Sequence, residues 1–290
     1  MPQDRRSHLS AHAPTEAQRA WAMHLRARAA IEPLIRACAR EGIPLLPVKG
    51  VVTGPLLYAD VSERPMLDAD LRVAPRHYRR ACAIALREGY TLDHKLIAYR
   101  SAIFFWKGTQ VDLETSVGPP GLCGLTVDAM LQRARPSDLL GFPHLVPELH
   151  DHALLLCVNV FKDKLALALP APMEDARRVA RHPSFDPRTF ARRAQETGSA
   201  TLAWVVADYL AEVGGDQGWL CVRDALGAPP RPRVARRLAA LERSERGTPG
   251  SPGAFELRVR SRLASDTRRV RGEGATRMAL WTVERRLKGR

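Results

Sequence analysis

Three aspartates carry the chemistry this sequence can offer. Asp68 and Asp70 stand two apart in Leu67-Asp68-Ala69-Asp70-Leu71-Arg72-Val73. Apolar and polar residues alternate there with the period of a β-strand, so both carboxylates leave the same face. Two carboxylates side by side repel unless a cation or a proton lies between them. Magnesium suits the arrangement: it takes oxygen ligands, uses one or two carboxylates and completes its shell with water and phosphate oxygens. Asp112 repeats the frame in Val111-Asp112-Leu113. If its strand lies beside the first, about 4.8 Å away, three carboxylates can hold two cations roughly 3.5–4 Å apart, the spacing of in-line phosphoryl and nucleotidyl transfer sites. Taken alone, Asp-x-Asp is equally what a solvated strand face shows; the order of elements around it separates the two.

Those elements read as follows. A helix is expected over residues 15–40, with Thr15 as its N-cap and Trp21, Leu25, Ala29, Leu34 and Cys38 at helical spacing. Gly42 ends it, and residues 43–48 form a short buried strand weakened by Pro44 and Pro47. A turn at Lys49-Gly50 leads into a short helix toward Tyr58. Pro55, comfortable only in a first turn, delays that helix and makes Thr53 its expected cap. A helix over 77–89 follows the Asp-x-Asp strand. Ala102–Trp106 and Gln110–Glu114 then make a hairpin across Lys107-Gly108-Thr109. Beyond a Gly/Pro loop at 118–124, helices are expected at 150–169, 172–181, 187–197 and 201–213, and linkers at 228–232 and 247–253. The predicted fold class is α+β: a mixed-sheet domain over 1–145, a helical domain over 146–226 and a basic, partly helical tail over 227–290.

Composition agrees with a soluble globular chain of one large or two modest domains. Of 290 residues, 45% are apolar and 26% charged, which excludes collagen-like, disordered and coiled-coil classes. No apolar run approaches the roughly 20 residues that span a bilayer. Arg5-Arg6 is followed by polar residues and not by an apolar stretch, so no secretory or twin-arginine signal is expected and a cytoplasmic location is. Cys38, Cys82, Cys123, Cys157 and Cys221 are odd in number and widely spaced, and suggest neither a disulfide framework nor a zinc knuckle. The net charge of +14 is uneven. Residues 227–290 hold 17 basic and 6 acidic side chains and account for most of it. Such a segment either engages a polyanion or serves as a solvated extension.

At this resolution of detail the chain resembles a known pattern. Pro47-Val48-Lys49-Gly50, Leu56-Leu57-Tyr58, Arg64-Pro65-Met66-Leu67-Asp68-Ala69-Asp70-Leu71, Gly89-Tyr90 and Val111-Asp112-Leu113 are similar to the motifs of the uncharacterised nucleotidyltransferase family of the polymerase-β-like superfamily. The likeness spans residues 43–114, and Met173-Glu174-Asp175-Ala176-Arg177 extends it weakly. The resemblance implies that Asp68, Asp70 and Asp112 bind two Mg2+ ions, and that Asp112 helps to deprotonate an acceptor hydroxyl. It further implies that Gly50 lets the backbone approach a nucleoside triphosphate, with Lys49 and Arg64 neutralising phosphate charge. Local pairing of Arg64 with Glu63 or Asp60 remains an alternative. Glu114 stands where the family usually has His.

Other polar residues read less sharply. His150 and His152 flank Asp151 and are expected as capping or surface residues. Lys162 and Lys164 could approach a phosphate, and Asp175 could position an acceptor or pair with Arg177 or Arg178. The function expected is transfer of a nucleoside monophosphate from a triphosphate to an acceptor hydroxyl, with release of pyrophosphate; small molecules, peptide or protein side chains and RNA all remain open as acceptors. The rivals are a nucleic-acid-binding protein acting through 227–290 and a toxin-like transferase that modifies RNA held by the same segment.

Overall fold

A computed structural model describes residues 13–162, 165, 169–244, 256 and 263–287. The chain opens with α1 (Glu16–Arg40), capped as expected: the Thr15 side chain accepts from the Gln18 amide while the Gln18 side chain accepts from the Thr15 amide. Its buried face differs from the expected stripe. Trp21 and Leu25 are exposed, and His24, Ala27, Ile31 and Leu34 face inward. Trp21 and Leu25 lie on a different side of the helix from the buried row Ala20, His24, Ala27, Ile31, Leu34 and Cys38.

Five strands form one mixed sheet in the order β1-β2-β5-β4-β3. They are β1 (Leu45–Val48), β2 (Asp68–Val73), β3 (Thr91–Leu96), β4 (Ser101–Trp106) and β5 (Thr109–Glu114). β2 and β5 pair in parallel, and the other neighbours are antiparallel. The β4–β5 hairpin turns on Lys107 and Gly108, both at positive φ (47° and 80°), the geometry that matches the twist of paired strands. Ala69, Leu71, Val73, Val111 and Leu113 point to one face, where α1 and α3 (Tyr78–Arg87) bury them with Ile31, Leu34 and Ile84. Each such aliphatic side chain contributes about 1.5–3 kcal/mol by leaving water. The alternate residues, Asp68, Asp70, Arg72, Gln110, Asp112 and Glu114, necessarily share the opposite face.

That face is met by the helical half. α2 (Gly50–Leu57) follows β1 directly; it begins at Gly50 and not at Thr53, and Pro55 sits within it. The Thr53 hydroxyl is instead paired with His152 Nε2 at 3.2 Å, so it caps nothing. After α4 (Val127–Arg133) and a small hairpin of β6 (Arg135–Ser137) and β7 (His144–Val146), α5 (Leu149–Lys162) runs through the centre of the second core. Every residue from His150 to Phe161 is buried, as expected of a helix covered on all sides. Around it lie α6 (Pro170–Arg181), α7 (Pro187–Glu196), α8 (Ala200–Glu212) and α9 (Gln217–Leu226), with Phe190 edge-on to Trp219 at 5.8 Å. α10 (Pro232–Arg243), within the segment expected as a tail, sends Ala235, Leu238 and Leu241 into this same core. α11 (Arg268–Leu287) crosses back to the sheet. No helix among the described residues is long and apolar enough to cross a membrane. Lys164 and the expected linker at 247–253 lie outside the described residues.

Candidate active site

The parallel register puts Asp70 directly opposite Asp112, and Asp68 opposite Gln110. Asp70, Asp112 and Glu114 each offer a carboxylate oxygen within 4.8 Å of the others. Asp68 shares the face one step toward the start of β2, half-buried, outside that tight group. Glu114 enters through the same alternation, two residues beyond Asp112. Motif reading passes over it, although the strand period alone places it beside the aspartates.

Cations offset much of this negative charge. Lys49 Nζ lies 2.6 Å from Asp70 Oδ1, and Arg72, only 1% exposed, reaches Asp70 Oδ1 at 3.5 Å and Glu114 Oε2 at 2.8 Å. Lys49 adopts φ +54°, a strained conformation for a side chain of its size, immediately before α2. The compensation is uneven. Burial works against the charge of Asp70, yet Lys49 and then Arg72 hold its carboxyl below the usual range. Asp112 is pushed up to about 6 by burial; its hydrogen bond from Gln110 Nε2 (2.8 Å) opposes this, while Asp70, Asp68 and Glu114 reinforce it. Burial and then Asp70 raise Asp68 as well.

The donor set fits a hard divalent cation. All candidate ligands are carboxylate oxygens on one rigid sheet face. Lys49 and Arg72 meet Asp70 at Oδ1, and Gln110 meets Asp112 at Oδ1.

Arg64 and Asp175 come together, but not at this cluster. Arg64 Nη2 lies 2.6 Å from Asp175 Oδ2, Nε lies 3.1 and 3.2 Å from the two oxygens, and the Tyr58 hydroxyl donates to Oδ1 at 2.8 Å. Asp175 is fully buried and meets Arg64 and Tyr58, not Arg177 or Arg178. Arg64 likewise pairs with neither Glu63 nor Asp60. Its guanidinium packs on Gly50: a Cβ there would lie 2.5 Å from Nη1. The glycine at position 50 thus permits the close approach of Arg64. His24 Nε2 contacts the Arg64 carbonyl at 2.9 Å and completes the strut behind the Lys49–Gly50 turn.

The two histidines are interior residues, a correction to their expected place at the surface. His150 Nδ1 meets Glu148 at 2.7 Å, and its Nε2 accepts from the Asp186 amide at 3.1 Å. Asp151 takes a two-pronged contact from Arg133 (2.8 and 3.0 Å) and a further one from Arg193. His152 is fully buried, and burial, with Arg64 adding to it, pulls its ring down to about 4. Lys162 lies close enough for its charge to favour the ionised forms of Asp68 and Asp70, though burial and Asp70 still leave Asp68 raised.

Beside the acid cluster opens a cleft of about 490 Å³. Lys49, Arg72 and Glu114 line its inner end, α5 contributes Val158, Asn159 and Lys162, and α11 supplies Met278, Trp281 and Thr282.

Among solved structures, the chain is similar to a solution structure of the antibiotic-resistance factor ANT(2'')-Ia, with 14% identity, 60% of this chain and 94% of that chain covered, and a TM-score of 0.42. It is also similar to a crystal structure of ANT(2'')-Ia in complex with adenylyl-2''-tobramycin, with 15% identity, 58% and 98% covered, and a TM-score of 0.42. No curated protein matches the chain. A model of the uncharacterised nucleotidyltransferase family matches residues 1–215, which include both aspartate strands, the Lys49–Gly50 turn and α5 to α8. The chain belongs to that family of transferases, the uncharacterised nucleotidyltransferases.

Proposed function

We propose that the protein moves a nucleoside monophosphate from a nucleoside triphosphate to an acceptor hydroxyl, releasing pyrophosphate, with Mg2+ held by Asp68, Asp70 and Asp112 and with Glu114 beside them. The observation that carries this reading is the pairing of Asp70 with Asp112 across parallel strands, Glu114 completing a group of oxygens within 4.8 Å. Bound there, the metal would neutralise the triphosphate and the charge that develops on its leaving group.

The chain's own groups do the rest by position. Lys49 lies at the junction of the acid cluster and α2, where its ammonium can pass from Asp70 to a phosphate oxygen. Arg64 and Gly50 fix the turn that aims it. Lys162 adds positive charge from α5. Asp112, with a proton affinity above that of an ordinary carboxylate but still mostly ionised at neutral pH, is placed to take the proton of the acceptor hydroxyl. The sheet domain at 1–145 would supply the chemistry, and the helical residues from 146 onward would close over the substrates. The excess positive charge of 227–290 supports long-range attraction of anionic substrates, nucleic acid among them, more than it specifies one.

The test is incubation with each α-labelled triphosphate and Mg2+, comparing wild type with the Asp68→Ala, Asp70→Ala double variant. The reading expects label transfer and pyrophosphate release by wild type alone. Turnover that survives in the double variant would refute it.

A further inference from the structure

The cleft beside the acid cluster lies on a definite side of the chemistry. The triphosphate-facing turn Lys49–Gly50 is at the β1 end of the sheet; the cleft has Lys49 and Arg72 at its inner end and runs out from them over β5 and β4 toward β3, past Glu114, Ser101, Tyr99 and Leu96. Displacement at phosphorus is in line, so the acceptor and the departing pyrophosphate occupy opposite sides of the phosphorus. With pyrophosphate held toward α2, the acceptor belongs on the β5–β3 side.

The wall on that side comes from α11, which lies wholly outside the segment that matches the family. Its position is fixed at both ends. Just before it, Ser265 donates its amide to the Gly121 carbonyl at 3.0 Å, and Asp266 receives the Thr201 amide at 3.0 Å. Farther along, Arg277 donates to the Ala98 carbonyl at 3.0 Å, and Glu284 accepts from the amides of Ile97 and Ala98 at 3.4 and 3.3 Å. Between these anchors, Gly274 brings the helix onto the 118–124 loop: a Cβ there would lie 2.6 Å from Gly121 Cα and 2.9 Å from the Pro120 carbonyl oxygen. Glycine inside a helix costs about 1 kcal/mol relative to alanine, so such a contact gives it a reason.

Resting on the transferase reading above, we infer that this α11-walled cleft is the acceptor subsite, and that it takes a hydroxyl-bearing small molecule with a flat or apolar ring face. Val117, Val158, Met278 and Trp281 give the cleft its apolar surface, and Ser101, Asn159 and Thr282 offer hydrogen bonds around it. A volume of about 490 Å³ is that of a small-molecule pocket. A helix pinned to the β3–β4 turn at Ala98 and to the helical half at Thr201 walls the cleft, an arrangement that favours a small acceptor over a polymer.

The test uses the full chain, labelled triphosphate and Mg2+ with three fractions of a bacterial extract: low-molecular-mass solutes, RNA and protein. Label is expected in a low-mass hydroxylated compound. Trp281→Ala, which removes the aromatic wall, and Gly274→Ala, which pushes α11 off the loop, should each raise the half-saturating acceptor concentration about ten-fold and leave that of the triphosphate unchanged. Label on RNA or protein overturns the acceptor class. Variants that leave the acceptor dependence unchanged, or weaken the triphosphate instead, overturn the assignment of the cleft. Absence of label in every fraction, with no pyrophosphate released, strikes the transferase reading itself.

Discussion

Replacing Asp175 by Asn should destabilise the protein severely while leaving every acid of the candidate site in place. Asp175 is fully buried and Arg64 is 6% exposed, and three contacts of 2.6–3.2 Å join them. Removing one member of such a pair strands the other charge in a medium that cannot solvate it, at a cost of about 3–5 kcal/mol. Asparagine keeps the volume and can still accept from the Tyr58 hydroxyl, so the loss isolates the charge. In a chain of this size the shift corresponds to roughly 10 °C in the thermal midpoint. The double variant Arg64→Met, Asp175→Leu removes both charges and should recover most of the loss, because an apolar pair avoids the desolvation penalty. Urea and thermal unfolding followed by circular dichroism would measure wild type, Asp175→Asn, Arg64→Met and the double variant. A cost below about 1 kcal/mol for Asp175→Asn, together with a raised triphosphate KM for Arg64→Met, would refute the reasoning. Arg64 would then be the phosphate ligand that the motif implies and not a strut.

Other outcomes follow from the same geometry. Gly50→Ala places a methyl 2.5 Å from Arg64 Nη1 and 3.2 Å from Met66 Cβ; with Arg64 pinned by Asp175, the strain should cost about 1–3 kcal/mol in urea unfolding and displace Lys49 from Asp70. Asp112→Asn should lower Mg2+-dependent turnover by ~100-fold or more and weaken Mn2+ binding followed by electron paramagnetic resonance, with the urea midpoint preserved or raised, since it relieves crowded carboxylates. His152 titrates near 4 when folded and near 6.5 when unfolded, so the unfolded state binds the proton first. Its contribution to stability is complete above pH 6.5 and falls by roughly 3 kcal/mol as pH drops from 6.5 to 4. Comparing urea midpoints of wild type and His152→Asn at pH 7 and 4.5 isolates that fall; an equal acid loss in both would refute the assignment.

What could be read in advance was whatever depends on local period. The alternation of Leu67–Val73 and Gln110–Glu114 fixes which side chains share a face, and one parallel register then brings Asp70 to Asp112. The same period reaches Arg72 and Glu114, and attention to motif alone misses them. β3 gives no comparable signal: Thr-Leu-Asp-His-Lys-Leu lies at the sheet edge, largely exposed, with no buried face to impose a pattern. The α1 stripe misleads for a related reason. Trp21 and Leu25 satisfy helical spacing, but the buried side is the row of Ala20, His24, Ala27 and Ile31, and His24 is turned inward by the carbonyl of Arg64, 40 residues away in sequence.

Long-range polar pairing explains the remaining differences, and it changes the reading of the site. Arg64 and Asp175 are 111 residues apart, and Thr53 and His152 are 99 apart. Both contacts tie α2 to the helical half, one through the Gly50 strut and one within α2 itself. The turn that carries Lys49 is therefore held by charges and hydrogen bonds that belong to the second core, not to the sheet bearing the aspartates. A Lys in a positive-φ conformation persists only when its surroundings over-determine it. Those surroundings are Arg64, Asp175, Tyr58, His24 and His152. The helical half is in this sense part of the proposed transfer site without contributing a carboxylate to it: it sets the position of the cation that lies against Asp70. Damage to the interface should consequently reach the triphosphate through Lys49 before it reaches the metal through Asp112.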